Sequence, residues 1–148
     1  MSGISTIAAA ALLSGVLDLT ATSSVVRAQG MPLERLLQGI ASGALGPAVF
    51  RGGKRTAATG LFFHFLIASV AAAAYYFCSR RLAWLDHHPL LSGVLYGTAV
   101  HLVMSRIVVP LSAAPKREFS AKAFLVQLVI HILCVGLPIA YVVSYLGR

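Results

Sequence analysis

The chain has few charged residues for its size. Charged side chains make up 11% of its 148 residues, and only 4 of them are acidic, whereas an average soluble domain is about 25% charged. Hydrophobic residues account for 58% of the chain. A soluble domain of this length has too little interior to bury so much apolar surface. The composition therefore predicts an integral membrane protein that forms a single domain over residues 1–148.

Sequence motifs of common enzyme and metal-binding classes are also missing. Cys78 and Cys134 are too few and too far apart for a disulfide framework or a CxxC site. The chain has no HExxH, serine-elbow or dinucleotide-binding pattern. Its glycine-rich run at 52–56 is not a phosphate-binding loop, because Ala48 and Arg55 replace a required Gly and a required Ser or Thr. We therefore predict no enzyme activity, no resident metal and no cofactor.

Four apolar runs are each about 20 residues long, enough to cross ~30 Å of hydrocarbon as a helix. The predicted spans are residues 4–26, 59–78, 90–109 and 123–145. No Lys or Arg precedes the first run, and Asp18 interrupts it, which favours a transmembrane helix over a signal peptide. Pro110 is expected to end the third helix, and Pro138 to kink the fourth.

Residues 32–46 predict a fifth, shorter helix. Pro32 suits the first turn, and an apolar stripe of leucines and Ile40 follows at helical spacing. Gly39, Gly43 and Gly46 interrupt this segment, which is too short for a confident span. We expect an interfacial helix, with a re-entrant segment as the alternative. The predicted fold is all-α: a polytopic membrane protein with four transmembrane helices plus this helix.

Basic residues lie mainly in two of the loops. Eight fall between spans one and two or between spans three and four: Arg27, Arg35, Arg51, Lys54, Arg55, Lys116, Arg117 and Lys122. Three lie on the other side of the membrane: Arg80, Arg81 and Arg148. This asymmetry places the first and third loops in the cytoplasm. The bases suit anionic membrane lipids better than nucleic acid, and we expect Arg51, Lys54 and Arg55 to contact lipid headgroups.

Each span carries one Asp or His: Asp18, His64, His101 and His131. Helix rise places them about 12, 8, 12 and 12 Å from the cytoplasmic ends of their helices, within a slab about 4 Å thick. Ionisable groups at such depth usually face a protein interior or a cavity. The sequence therefore predicts an intramembrane polar cluster.

Neighbouring residues extend this predicted cluster. Gln127 precedes His131 by four residues, so the two side chains share a helix face. Arg106 either pairs with Asp18 or extends to the headgroups while Asp18 is protonated or bonded by nearby threonines. Met104 and Cys134 lie one turn from histidines, which leaves a copper or haem iron site as a further interpretation.

Two other functional interpretations remain beside the metal site. In the first, the cluster lines a path for protons or cations through a small transport or channel protein. In the second, the same residues only bond helices together in an accessory or scaffolding subunit of a larger membrane complex. Small-residue spacings such as Gly39-xxx-Gly43 also predict close helix contacts and a homo-oligomer.

Three runs of sequence resemble small, largely uncharacterised bacterial inner-membrane proteins of the YagU-like kind. They are Ile40-Ala41-Ser42-Gly43 through Gly52-Gly53, Gly60-Leu61 through His64-Phe65-Leu66-Ile67-Ala68, and Val103-Met104 through Pro110-Leu111-Ser112, over about two-thirds of the chain. In that family an Asn often follows the Met of the third helix, where this chain has Ser105. The resemblance implies a bacterial inner membrane and a helical bundle, and it implies no established activity.

Overall fold

A computed structural model describes residues 2–147, so Met1 and Arg148 lie outside the described residues. No strand occurs within this range, which confirms the all-α class. Its helices are α1 (Gly3–Ala28), α2 (Leu33–Leu45), α3 (Gly53–Arg81), α4 (Ala83–His87), α5 (Pro89–Leu111) and α6 (Ala121–Leu146). A short 3₁₀ turn, Pro47–Arg51, joins α2 to α3.

The helices α1, α3, α5 and α6 are long and apolar enough to cross a membrane. Only 28%, 17%, 11% and 28% of their most apolar windows are buried within the chain. Lipid is therefore needed to cover the rest, and the protein is a multi-pass membrane protein, as predicted. The helix α2 has 13 residues and is about 20 Å long, too short to cross. Whether it is interfacial or re-entrant stays a prediction.

The second span begins earlier than its predicted start at residue 59. Helix α3 starts at Gly53 and runs for 29 residues, about 43 Å. Its first turns pack on α2, where Ala57 and Gly60 are buried. A Cβ atom at Gly60 would lie 1.8 Å from the Leu37 carbonyl oxygen, so the two backbones are in contact. Hydropathy misses these turns because they carry Lys54, Arg55, Thr56 and Thr59.

The four spans form a bundle in which α1 packs against α3 and α6, and α6 also packs against α5. Tyrosines connect α3 to α5. The Tyr75 hydroxyl lies 2.8 Å from the Ser92 hydroxyl, and the Tyr96 hydroxyl donates to the Ala71 carbonyl at 2.7 Å. Small and branched apolar residues fill the core around Tyr75: Ala10, Ala11, Ala72, Val135, Ile139, Ala140 and Val143.

Glycines bring the backbones of α5 and α6 together. A Cβ atom at Gly136 would lie 2.1 Å from the Gly93 carbonyl oxygen and 2.7 Å from Cα of Gly97. This is the small-xxx-small packing expected between membrane helices, but it uses Gly93 and Gly97. The predicted pair Gly39-xxx-Gly43 makes no such contact in residues 2–147, because a Cβ at Gly39 would meet nothing within 4 Å.

Two of the spans contain a π-helical turn just before a proline. Met104–Val108 precedes Pro110 in α5, and His131–Gly136 precedes Pro138 in α6. Proline lacks the N–H of a regular helix and its ring crowds the carbonyl four residues earlier. The wider turns accommodate both effects, so α5 continues through Pro110 to Leu111 instead of ending before it. The π turn of α6 begins at His131, a predicted site residue.

Polar contacts join the helices at the end of the bundle where α1 begins and α3 and α6 end. Thr6 donates its hydroxyl to the Leu146 carbonyl at 3.2 Å, which joins α1 to α6. Arg80 donates to the Gly147 carbonyl at 2.8 Å and to the Asp86 carboxylate at 2.6 Å. These contacts place the ends of α1, α3 and α6 together.

The glycine contact predicts a stability difference between two variants. Gly136→Ala would drive a methyl group into the α5 backbone, and we expect it to lower the free energy of unfolding by about 1–3 kcal/mol. Gly39→Ala is the control, because it adds a methyl group in open space and favours the helix by up to about 1 kcal/mol. Unfolding in mixed micelles, followed by circular dichroism, measures both. Equal stability of the two variants would contradict the tight contact.

Candidate functional site

The structure brings the four ionisable residues of the spans together. Asp18 lies on α1 and His64 on α3, and the Asp18 Oδ2 and His64 Nδ1 atoms are 4.0 Å apart. Their side chains are only 15% and 12% exposed. Asp18 is also close enough to His131 for the two to interact electrostatically. The His131 ring in turn lies 5.2 Å, centroid to centroid, from the ring of His101. The cluster therefore contains two contacting pairs, His64–Asp18 and His131–His101.

The hydrogen bond of His64 to α1 determines which nitrogen faces Asp18. His64 Nε2 lies 2.8 Å from the Gly15 carbonyl oxygen. A carbonyl oxygen only accepts, so Nε2 is the donor and carries a proton. A neutral His64 therefore turns the lone pair of Nδ1 towards Asp18. Two lone pairs facing each other repel, so the Asp18–His64 pair is favourable when it holds one further proton, on either partner.

Gly15 permits this contact because it has no side chain. A Cβ atom there would lie 2.7 Å from the ring of Phe65. Phe65 follows His64 on α3, so a larger residue at position 15 would push both rings away from α1. Sequence reasoning did not identify Gly15, because nothing in its local pattern distinguishes it from other helical glycines.

His131 is held by its own helix. Its Nδ1 atom lies 2.8 Å from the Gln127 carbonyl oxygen, so Nδ1 donates and Nε2 is left as the accepting nitrogen. The contact is therefore with the backbone carbonyl of Gln127, whereas the sequence predicted only that the two side chains share a helix face. His131 also starts the π turn of α6, and such turns are frequent at functional sites.

His101 is the most buried of the histidines in the spans, at 3% exposure. Its Nε2 atom is buried and has no hydrogen-bond partner among the described residues, and the same holds for Oδ1 of Asp18. Leaving a buried polar atom unsatisfied costs about 1–3 kcal/mol. Residues that served only to join helices would be expected to have their polar atoms paired. These two atoms are therefore the parts of the cluster that a purely structural role explains least.

Phe124 and Arg106 complete the cluster on the side of α2 and the 112–120 segment. The Phe124 ring lies 4.5 Å from the His101 ring, edge to face. The Arg106 guanidinium is exposed and sits 5.2 Å from the Phe124 centroid and 5.4 Å from that of Phe119. Within residues 2–147, the ion pair of Asp18 is made with His64 and not with Arg106. The spacing of Phe124, Gln127 and His131, on one helix face, was an available signal for Phe124.

Metal-ligating side chains do not converge in this cluster. In the part of the chain that the structure describes, no three His, Cys, Asp or Glu residues are placed to hold a metal ion. Cys134 is half-buried and Cys78 is exposed, and both are free thiols. The His101 and His131 rings contact each other directly.

The predicted headgroup contacts lie at the start of α3. Arg51 ends the 3₁₀ turn, and Lys54 and Arg55 lie in the first turn of the helix. All three side chains are exposed. Beside them, the Arg35 guanidinium sits 4.2 Å over the Phe50 ring. The positive end of a 29-residue helix dipole thus coincides with a group of basic side chains.

No known protein family, curated protein or solved structure matches this chain. Its function is therefore inferred from the geometry of the site.

The Asp18–His64 contact predicts energetic coupling. Asp18→Ala and His64→Ala should each lower the free energy of unfolding. We expect these two decreases to be non-additive by about 0.5–3 kcal/mol, because each substitution removes the same interaction. Unfolding of the two single variants and the double variant in mixed micelles measures this coupling. Asp18→Ala combined with His87→Ala is the control, since His87 is exposed at the opposite end. Additive losses in the first pair would contradict the contact.

Proposed function

We propose that this protein is a small integral membrane protein of the bacterial inner membrane that conducts protons or cations through its polar cluster. The observation that carries the proposal is the gathering of four ionisable side chains in two pairs: Asp18 Oδ2 lies 4.0 Å from His64 Nδ1, and the His131 and His101 rings are 5.2 Å apart. These residues lie on four different helices at membrane depth. Imidazole is the side chain whose ordinary titration range includes neutral pH, which suits it to accept and release protons.

The unsatisfied atoms of the cluster support this function over a purely structural one. Oδ1 of Asp18 and Nε2 of His101 are buried without partners in the described chain. A group that binds an ion transiently must be free to change its partner. Intramembrane ionisable residues are also costly to retain, by about 2.5–3.5 kcal/mol for an Asp at the centre of a helix. That cost is easier to explain by a transported ion than by helix packing.

The bundle also leaves most of its apolar surface uncovered, with no more than 28% of any span window buried. We propose that this surface is covered by lipid and by further copies of the same chain in a homo-oligomer. Such an assembly would place several polar clusters in one complex. The YagU-like resemblance is consistent with the bacterial inner membrane as the location.

Purified protein in liposomes tests the proposed conduction. We expect a pH gradient to relax faster than in protein-free vesicles, and Asp18→Asn to abolish this difference. The substitution keeps the size of the side chain and removes its ability to carry a charge. His87→Ala is the control, because His87 lies outside the cluster and should leave the flux unchanged. An internal pH-sensitive dye records the rates.

Two results would reject the proposal. Equal flux through the wild type and Asp18→Asn would remove the cluster from the path. A wild-type protein that conducts no ion, but purifies from native membranes with a companion chain, would favour the accessory-subunit alternative. Absorption spectra and metal analysis of the same sample test the haem or copper alternative directly.

We also propose that Arg51, Lys54 and Arg55 bind anionic lipid headgroups. Their exposure at the amino end of α3 supports this, because both the helix dipole and the side chains attract phosphate.

Native mass spectrometry in mixed phosphatidylglycerol and phosphatidylcholine measures the preference for anionic lipid. Lys54→Gln should weaken it by about 1 kcal/mol, or roughly fivefold. Arg81→Gln, at the other end of α3, is the matched control. If Lys54→Gln and Arg81→Gln change the preference for anionic lipid equally, the proposed headgroup contact at the start of α3 is contradicted.

A further inference from the structure

A cap covers the polar cluster at the end of the bundle that carries α2 and the 112–120 segment. It consists of Arg106, Phe119 and Phe124. The Phe124 ring packs against His101 at 4.5 Å and lies 5.8 Å from the Phe119 ring. The Arg106 guanidinium sits over both phenyl rings, at 5.4 and 5.2 Å from their centroids. The cap connects α5 to α6 and to the loop between them.

The cap places a permanent positive charge at this end of the polar cluster. Arg106 remains charged at any physiological pH, and it lies over the Phe124 ring, which packs against His101. The Lys116 ammonium, held by the carbonyls of Val109, Pro110 and Ser112, adds positive charge at the end of α5. A metal cation that approached His101 from this side would therefore be repelled. The buried carboxylate that could attract it, that of Asp18, already faces His64.

The cluster also offers no coordination site to a metal cation. Within residues 2–147, no three His, Cys, Asp or Glu side chains are placed to hold one. A Na⁺ or K⁺ ion needs several ligands to replace its water, whereas a proton can be passed from one side chain to the next. Each transfer breaks one N–H or O–H bond and forms another, so a single positive charge passes through the cluster.

We infer that the ion carried by the cluster is the proton, and that Arg106, held over Phe119 and Phe124, is the residue that excludes metal cations. This inference rests on the proposed conduction and narrows it from protons or cations to protons. It assigns Arg106 a role in selectivity and leaves proton transfer to the four buried residues.

Parallel flux measurements in liposomes test the inference. A pH-sensitive dye reports H⁺ flux, and K⁺- and Na⁺-sensitive dyes report the metal ions. We expect wild-type protein to carry H⁺ and to leave K⁺ and Na⁺ flux at the level of protein-free vesicles. Arg106→Gln should raise K⁺ flux by about tenfold or more, because a unit charge at the entrance makes a barrier of that order. Arg106→Lys should leave K⁺ flux at the level of protein-free vesicles, since it keeps the positive charge.

Arg117→Gln is the matched control, because it removes the same charge from an exposed position of the loop outside the cap. Wild-type protein that carries Na⁺ or K⁺ would overturn the inference and leave the proposed conduction intact. If Arg106→Gln leaves K⁺ flux at the level of protein-free vesicles, the role of Arg106 is overturned. Wild-type protein that carries no ion at all would overturn the proposed function and this inference with it.

Discussion

Contact between helix backbones at glycine is the constraint on which the rest of this structure depends. Lipid tails are as apolar as leucine side chains, so membrane helices gain little from burying apolar surface and must associate through close packing and hydrogen bonds. Here α5 and α6 meet at Gly97 and Gly136, while Gly15 of α1 lies directly against Phe65 of α3. The two contacts decide which faces of four helices point inwards.

The polar cluster is a consequence of these contacts. A Cβ atom at Gly97 would touch the carbonyl oxygen of His131, and His101 lies one turn further along α5, so the two histidines meet. The carbonyl of Gly15 accepts the hydrogen bond of His64 on the other side of the bundle. Oδ1 of Asp18 and Nε2 of His101 are left buried without a hydrogen-bond partner among the described residues.

Much of the fold could be predicted from hydropathy, and the exceptions are instructive. The four spans and α2 appeared within a few residues of their observed bounds, because lipid-facing surface requires long apolar runs. The early start of α3 at Gly53 was missed because its first turns carry Lys54, Arg55 and two threonines, which lower the local hydropathy. Spacing selected Gly39 and Gly43 and overlooked Gly93 and Gly97, because spacing does not show which face of a helix is buried. The contact of Phe124 with His101 joins two helices, and spacing along α6 indicates only that Phe124 shares a face with His131.

The sequence by itself determined that lipid surrounds the chain and that four helices are long and apolar enough to span it. Helix rise predicted a common depth for Asp18, His64, His101 and His131. Only the tertiary structure decided that Asp18 faces His64 and not Arg106, that the rings of His131 and His101 meet, and that Arg106 rests on two phenyl rings. The physical reason is the rotation of each helix about its own axis. Depth along a helix is a property of one segment, whereas the direction in which a side chain points depends on the contacts between segments.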